Sequence, residues 1–188
     1  MNRLPFFDDD HDGQFRWLLI WERLPEPGFI KGQTEAKLRQ RLQTTRWPTG
    51  ICCPECAQTS IGQLERGSLF QCHVCRKQFS VTNGTFLHRT KLSFSLWFLV
   101  AEDVIREFAL GSDRRYPSPK RIAAKYKLPQ PTAYRVKKLI LQDFAPAGEG
   151  LLERAICMHE PMQPTHLALF SAEHRYWLDQ VRRGFIKR

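Results

Sequence analysis

Four of the six cysteines in this 188-residue chain are placed to do chemistry. Cys53-Pro54-Glu55-Cys56 and Cys72-His73-Val74-Cys75 are two C-x-x-C pairs with 15 residues between them, a spacing that fits a four-cysteine zinc site. Two residues between cysteines let a tight turn aim both sulfurs at one ion. Two such turns at the base of a hairpin complete a tetrahedron of thiolates. With four protein ligands no position remains for water or substrate, so the metal expected here, a single Zn2+, is structural and activates no nucleophile. Its task is to fold a segment too poor in apolar side chains to fold unaided; structural zinc contributes roughly 10 to 16 kcal/mol in finger peptides.

Other uses of these residues are weaker. Two disulfides would consume the same four cysteines, but disulfides belong to oxidising compartments, and no secretory signal is legible at the N-terminus. A redox C-x-x-C needs a surrounding βαβ pattern, which is absent. Cys52 competes with Cys53; Cys53 is preferred because it completes the two-residue spacing, with Pro54 stiffening the turn. His73, between two ligands, is expected to face solvent. Cys157, His159 and His166 lack a fourth donor, and Cys157 reads as a small buried side chain. Asp8-Asp9-Asp10-His11-Asp12 reads as a solvated acidic leader.

The elements around the cysteines follow from period and punctuation. Phe15, Leu18, Leu19, Trp21 and Leu24 predict a short amphipathic helix over 14–24, stopped by Pro25 and Pro27. Thr34 is placed to cap a helix running to about Arg46, with Glu35 near its positive end. Residues 60–64 and 68–71 predict two short strands joined at Glu65-Arg66-Gly67. Phe79 and Val81 continue the extended pattern, with Gln78 and Ser80 on the opposite face. The unit is a zinc ribbon, not a helix-containing finger. Ser93 is placed to cap a helix whose Leu96, Trp97, Val100, Val104, Ile105 and Phe108 recur at helical spacing, with Gly111 ending it. Pro117-Ser118-Pro119 starts a helix bearing Ile122, Ala123 and Tyr126. Leu128 lies in a short turn, and a helix over 132–143 turns Ala133, Val136 and Ile140 inward. Long helix, short helix, tight turn and basic helix make a helix-turn-helix arrangement.

The expected fold class is therefore α+β and mostly helical, a four-cysteine zinc ribbon of short β-hairpins followed by a helix-turn-helix bundle. The expected divisions are a leader and short helix (1–33), a helix plus ribbon (34–90), the helix-turn-helix (91–143), and a linker with a helical tail (144–188). The tail helix, with Tyr176, Trp177, Val181 and Phe185, is a candidate for docking on the body, on a second copy in a homodimer, or on a partner protein. No apolar run approaches the ~20 residues of a membrane span, so a soluble, cytoplasmic protein is expected.

Charge is concentrated beside the ribbon. The chain carries a formal net charge of +10, and residues 112–141 hold nine basic side chains against one acid, Asp113. The first 28 residues hold six acids against three arginines. A localised positive field suits a polyanion. In a helix-turn-helix the second helix presents its N-terminal residues to base edges; here these are Gln130, Thr132, Tyr134 and Arg135. Arg135 can read guanine and Gln130 adenine bidentately, while Lys120, Arg121, Lys125, Lys137 and Lys138 suit phosphates.

The run Arg46-Trp47-Pro48-Thr49-Gly50, the pairs Cys53-Pro54-x-Cys56 and Cys72-x-x-Cys75-Arg76-x-Gln78-Phe79-Ser80-Val81-Thr82-x-Gly84-Thr85, and Leu92-x-x-x-x-Trp97-Phe98 resemble the N-terminal zinc-ribbon region of bacterial insertion-sequence transposases of the DDE type. Ile122-Ala123-x-x-Tyr126-x-Leu128 with Thr132-Ala133-Tyr134-Arg135 is similar to the helix-turn-helix that follows it there. The resemblance implies binding to double-stranded DNA at an element's ends. It also implies a following ribonuclease-H-type domain with three metal-binding carboxylates. Only 45 residues follow Asp143, against the ~100 to 150 of a typical domain. Glu149 and Glu153 lie where the first acidic strand would fall, and Glu160, Glu173 and Asp179 are isolated, so no catalytic residue is carried over. The expected function is sequence-specific DNA binding without cleavage, in nucleoid-associated regulation of transcription or transposition. The rival classes are a truncated transposase that needs a partner chain for catalysis, and a ribbon adaptor for protein or RNA.

Overall fold

A computed structural model of the chain describes residues 10–64, 68–110, 117–162 and 164–187, without the side chains of 10–12 and 14. The predicted turn at 65–67, the end of the long helix at Gly111 and most of the acidic leader lie outside the described residues.

The helices are α1 (Asp10–Trp21), α2 (Glu35–Arg46), α3 (Phe94–Ala109), α4 (Pro119–Tyr126), α5 (Gln130–Phe144), α6 (Leu151–Ile156) and α7 (Ala172–Arg182). Between α2 and α3 lies the sheet, β1 (Ile61–Gln63), β2 (Phe70–Cys72) and β3 (Gln78–Phe79), antiparallel in the order β1-β2-β3. Its registers pair Ile61 with Cys72 and Phe70 with Phe79. In β3 Phe79 is buried while Gln78 is exposed, the alternation expected of a half-buried strand; the strand stops at Phe79, and Val81, expected to continue it, is buried in the turn that follows.

α3 is the hub, packing against α1, α2, α5 and α6. Phe94, Trp97, Phe98, Val100, Ala101, Val104 and Ile105 are all buried, so the helix hides more than one stripe, as a helix surrounded by others must. Its N-terminus is doubly capped. The Ser93 hydroxyl accepts from the Leu96 amide at 3.2 Å, and Glu35, in the first turn of α2, accepts from the Phe94 and Ser95 amides at 2.7 and 3.1 Å. A carboxylate there meets the positive end of the helix dipole and fixes the angle between α2 and α3.

One contiguous core runs from Ile20 through Trp47, the ribbon and α3 to Cys157. A smaller cluster of Phe15, Leu18, Leu19, Ala109 and Leu178 joins α1 and α7. The first helix extends further toward the N-terminus than its apolar pattern indicates and ends at Trp21, before the prolines. α7 docks on α1 through Leu178 with Tyr176 exposed, and it ends at Arg182, so Phe185, expected in the tail helix, lies exposed beyond its end. Among the described residues, no helix is long and apolar enough to cross a membrane.

Candidate metal centre and nucleic-acid interface

The ligand sulfurs of Cys53, Cys56, Cys72 and Cys75 all lie within 4.8 Å of one another. Cys53 is 3.5 Å from Cys75 and Cys56 is 3.6 Å from Cys72, sulfur to sulfur. Zinc–sulfur bonds of about 2.3 Å put tetrahedral sulfurs roughly 3.8 Å apart. Disulfide sulfurs stand only about 2.05 Å apart. The four donors therefore stand as a cation would hold them, and all are free thiols. They form a four-thiolate zinc site. Cys52 stays outside the cluster. So does His73, whose backbone amide donates to Ser60 and whose ring lies against Gly62, where a Cβ would sit 2.8 Å from Nε2.

The two cysteine turns repeat one construction. The Ala57 amide donates to the Cys53 carbonyl and the Cys53 amide to Gln58, both at 2.9 Å; Arg76 donates to Cys72 and Cys72 to Lys77, both at 3.0 Å. The residue after each second cysteine is left-handed, Ala57 at φ 57° and Arg76 at φ 60°. Neither is glycine, so each carries roughly 1 to 2 kcal/mol of backbone strain that the surrounding turn must hold. The Cys75 amide draws the Cys72 thiol down to about 7 against the effect of burial. At Cys56 the Gln58 amide also pulls down, but neighbouring sulfurs and burial push that thiol up to about 12. Four crowded sulfurs cannot all ionise until a cation sits among them.

The ribbon's buried side is aromatic. Trp47, just beyond α2, meets Phe70 and Phe79 edge-on, with ring centroids 6.0 and 5.9 Å apart. The metal turns are thereby locked to the end of α2, and through α2 to α3.

α4 and α5 pack on each other and are joined by residues 127–129. Ser118 caps α4, and Lys127 at φ 53° ends it, with the Leu128 amide donating to Ala123 at 3.0 Å, a left-handed C-terminal stop. α5 begins at Gln130, two residues earlier than expected, because Pro131 is tolerated in a first turn that has no side-chain cap. The expected inward residues Ala133, Val136 and Ile140 are buried.

The candidate DNA-contacting side chains fall into three groups. Lys120, Gln130, Tyr134, Arg135 and Lys138 are exposed, and Thr132 is half-buried. Arg121 and Lys125 are exposed but paired with acids of α3: Arg121 to Glu107 at 2.6 Å and Lys125 to Asp103 at 2.7 Å. Lys137 is only 9% exposed, with its ammonium 5.8 Å from the centre of the Phe108 ring, and burial lowers its pKa. It lies on the wall between α5 and α3 rather than on the outer face.

Asp143 and Glu153, beyond this face, serve the fold. Asp143 accepts the Leu151 and Leu152 amides at 2.9 Å and the Glu153 amide at 3.3 Å, capping α6 from the end of α5. Sequence reasoning missed this cap because the acid and the helix it caps are separated by a chain reversal. Glu153 is buried and pairs with Arg16 at 2.9 Å. Cys157 is fully buried, and its thiol is pushed up to about 12 by that burial. The four cysteines are the one metal-competent cluster among the described residues.

Residues 33–78 match the family described as "Transposase zinc-ribbon domain". No curated protein and no solved structure matches the chain. The matched stretch begins beside the cap of α2, ends in β3 and contains all four cysteines. The ribbon of this chain is thus similar to a transposase zinc ribbon, and the match stops short of α3.

Proposed function

We propose that the protein binds double-stranded DNA sequence-specifically, with α4 and α5 as a helix-turn-helix and the zinc ribbon as the rigid block beside them, and that it does so without cutting the strands. The observation that carries this reading is the outer face of α5. Gln130, Tyr134 and Lys138 follow one another at four-residue spacing with Arg135 alongside, all exposed, while the one acid of the helix, Asp143, is turned inward. A helix so lined can enter a major groove with its first turns toward the bases. Arg135 and Gln130 are the readers, and Lys120 and Lys138 meet phosphates. Arg121 and Lys125 must exchange carboxylate partners for phosphate, so each contributes less than its charge alone implies. The transposase-type ribbon supports a history in a mobile element, and regulation of transcription or transposition on the nucleoid is the role proposed.

Duplexes selected from a random pool provide the test. Affinity falls with salt by about 0.9 log units per phosphate contact for each log unit of salt. Arg135→Ala costs roughly 1 to 3 kcal/mol at one base pair and relaxes preference there. Affinity that is flat in salt would sink the proposal; an equal loss on every sequence would move Arg135 from base reading to phosphate binding.

A further inference from the structure

Residues 86–92, which lead from the ribbon to α3, face the side of α5 that carries Thr132 and Arg135, and the two enclose a cleft of about 410 Å³. Its floor includes the half-buried Phe86 and Leu139 and an edge of the buried Trp97; its rim carries the exposed His88, Arg89, Lys91 and Arg135, and no acid lines it among the described residues. The loop is firmly held. The Thr90 hydroxyl accepts from the Trp97 indole at 3.1 Å and from the Leu92 amide at 3.2 Å. The Thr90 amide donates to Leu87 at 3.1 Å, and Phe86 meets Trp97 edge-on at 5.6 Å. Arg89 stands at φ 57°, a left-handed conformation unusual for a residue with a side chain.

An apolar, partly aromatic floor under a rim of cations matches one chemistry well: a flat base with a phosphate on either side. A paired base cannot offer its face, and a bare phosphate has no use for the floor. We infer that this cleft takes an unpaired deoxynucleotide adjoining the duplex held by α5, the base lying on the apolar floor and its phosphates on Arg89 and Lys91. The inference rests on the DNA-binding reading above and adds a structural preference to it: DNA with a single-stranded extension or an extruded base is favoured over a fully paired duplex. Volumes of roughly 300 to 1,000 Å³ are usual for small-ligand sites, and stacking is tolerant of base identity.

The experiment measures anisotropy of the full-length zinc-loaded protein with a blunt duplex, the same duplex bearing a three-nucleotide overhang, and the overhang strand alone. Wild type binds the overhang duplex about ten-fold more tightly than the blunt one. Arg89→Gly removes the cation while suiting the left-handed backbone, and combined with Lys91→Ala it abolishes that difference. Phe86→Leu, which keeps an apolar side chain but no aromatic face, lowers it. Zinc content and circular dichroism check the fold of each variant. Equal wild-type affinity for blunt and overhang duplexes overturns the inference and leaves duplex binding intact. An equal loss on both DNAs in the Arg89/Lys91 double variant also overturns it, since the rim would then be gripping paired backbone. Binding of the strand alone with no binding of the blunt duplex keeps the cleft and overturns the duplex reading instead.

Discussion

The ribbon and the helical body are held together by different means. The strands are three, three and two residues long, too short for a ladder to persist in water without further help. Four sulfurs around one ion supply that help, and two left-handed turns depend on it. Among the described residues the body has no such clamp. It rests on α3, a 16-residue helix with nine buried positions, and on helix ends capped by Ser93, Glu35 and Asp143. The ribbon should therefore fail abruptly when one ligand is lost, while the body should weaken in proportion to the packing removed.

The sharpest way to separate the two is Cys72→Ser. Zinc content should fall from one equivalent to none, and amides of β1–β3 should lose their protection from hydrogen exchange while the middle of α3 keeps most of its own. Loss of protection in both regions at once would mean that the ribbon and body form a single cooperative unit. Phe98→Ala attacks the other region. Phe98 is fully buried, so a cost of about 3 to 5 kcal/mol in urea unfolding is expected, with the zinc stoichiometry of the folded protein unchanged.

A pH-dependent difference comes next in size. Burial lifts the Asp143 carboxyl from 3.8 to about 6, although the amides of Leu151, Glu153 and Leu152 pull the other way. A carboxyl with a raised folded pKa contributes stability that is full below its unfolded pKa, near pH 4, and is lost as pH rises through about 6. Asparagine keeps an acceptor and cannot ionise. Asp143→Asn should gain on wild type by roughly 2 to 3 kcal/mol between pH 4 and 7, read as the difference between the two urea curves. A difference that shrinks with pH would show that the capping amides outweigh burial. The smallest effect is at Glu107→Gln, which releases Arg121 from its exposed ion pair. Stability should change by less than about 1 kcal/mol, while affinity for duplex DNA rises about three-fold, worth ~0.6 kcal/mol, and its salt dependence steepens.

The metal centre could be read before any coordinates because ligand type and spacing are local facts. The caps at Thr34 and Ser93 were legible for the same reason. What the sequence hid is long-range. Lys137 looks like one more basic residue, yet a position next to Val136 on a helix packed against α3 carries its stem inward, and Phe108 closes over it. Arg121 and Lys125 look free until α3 brings Glu107 and Asp103 beside them. Pro146-Ala147-Gly148 looks like a linker, but it is the reversal that lets Asp143 reach α6. The cleft at residues 86–92 was not foreseen either, since its two walls are some 40 residues apart in the chain.

Arg16 reaches from α1 to the Phe144 carbonyl and to Glu153, and this has a practical bearing on how the molecule can be dissected. A fragment beginning at the zinc-ribbon match would deprive Glu153 of the guanidinium it faces and uncover the side of α3 that α1 now shields. Such a fragment should be prone to aggregate even with its metal in place, and poor DNA binding by it would reflect a damaged scaffold rather than the wrong ligand.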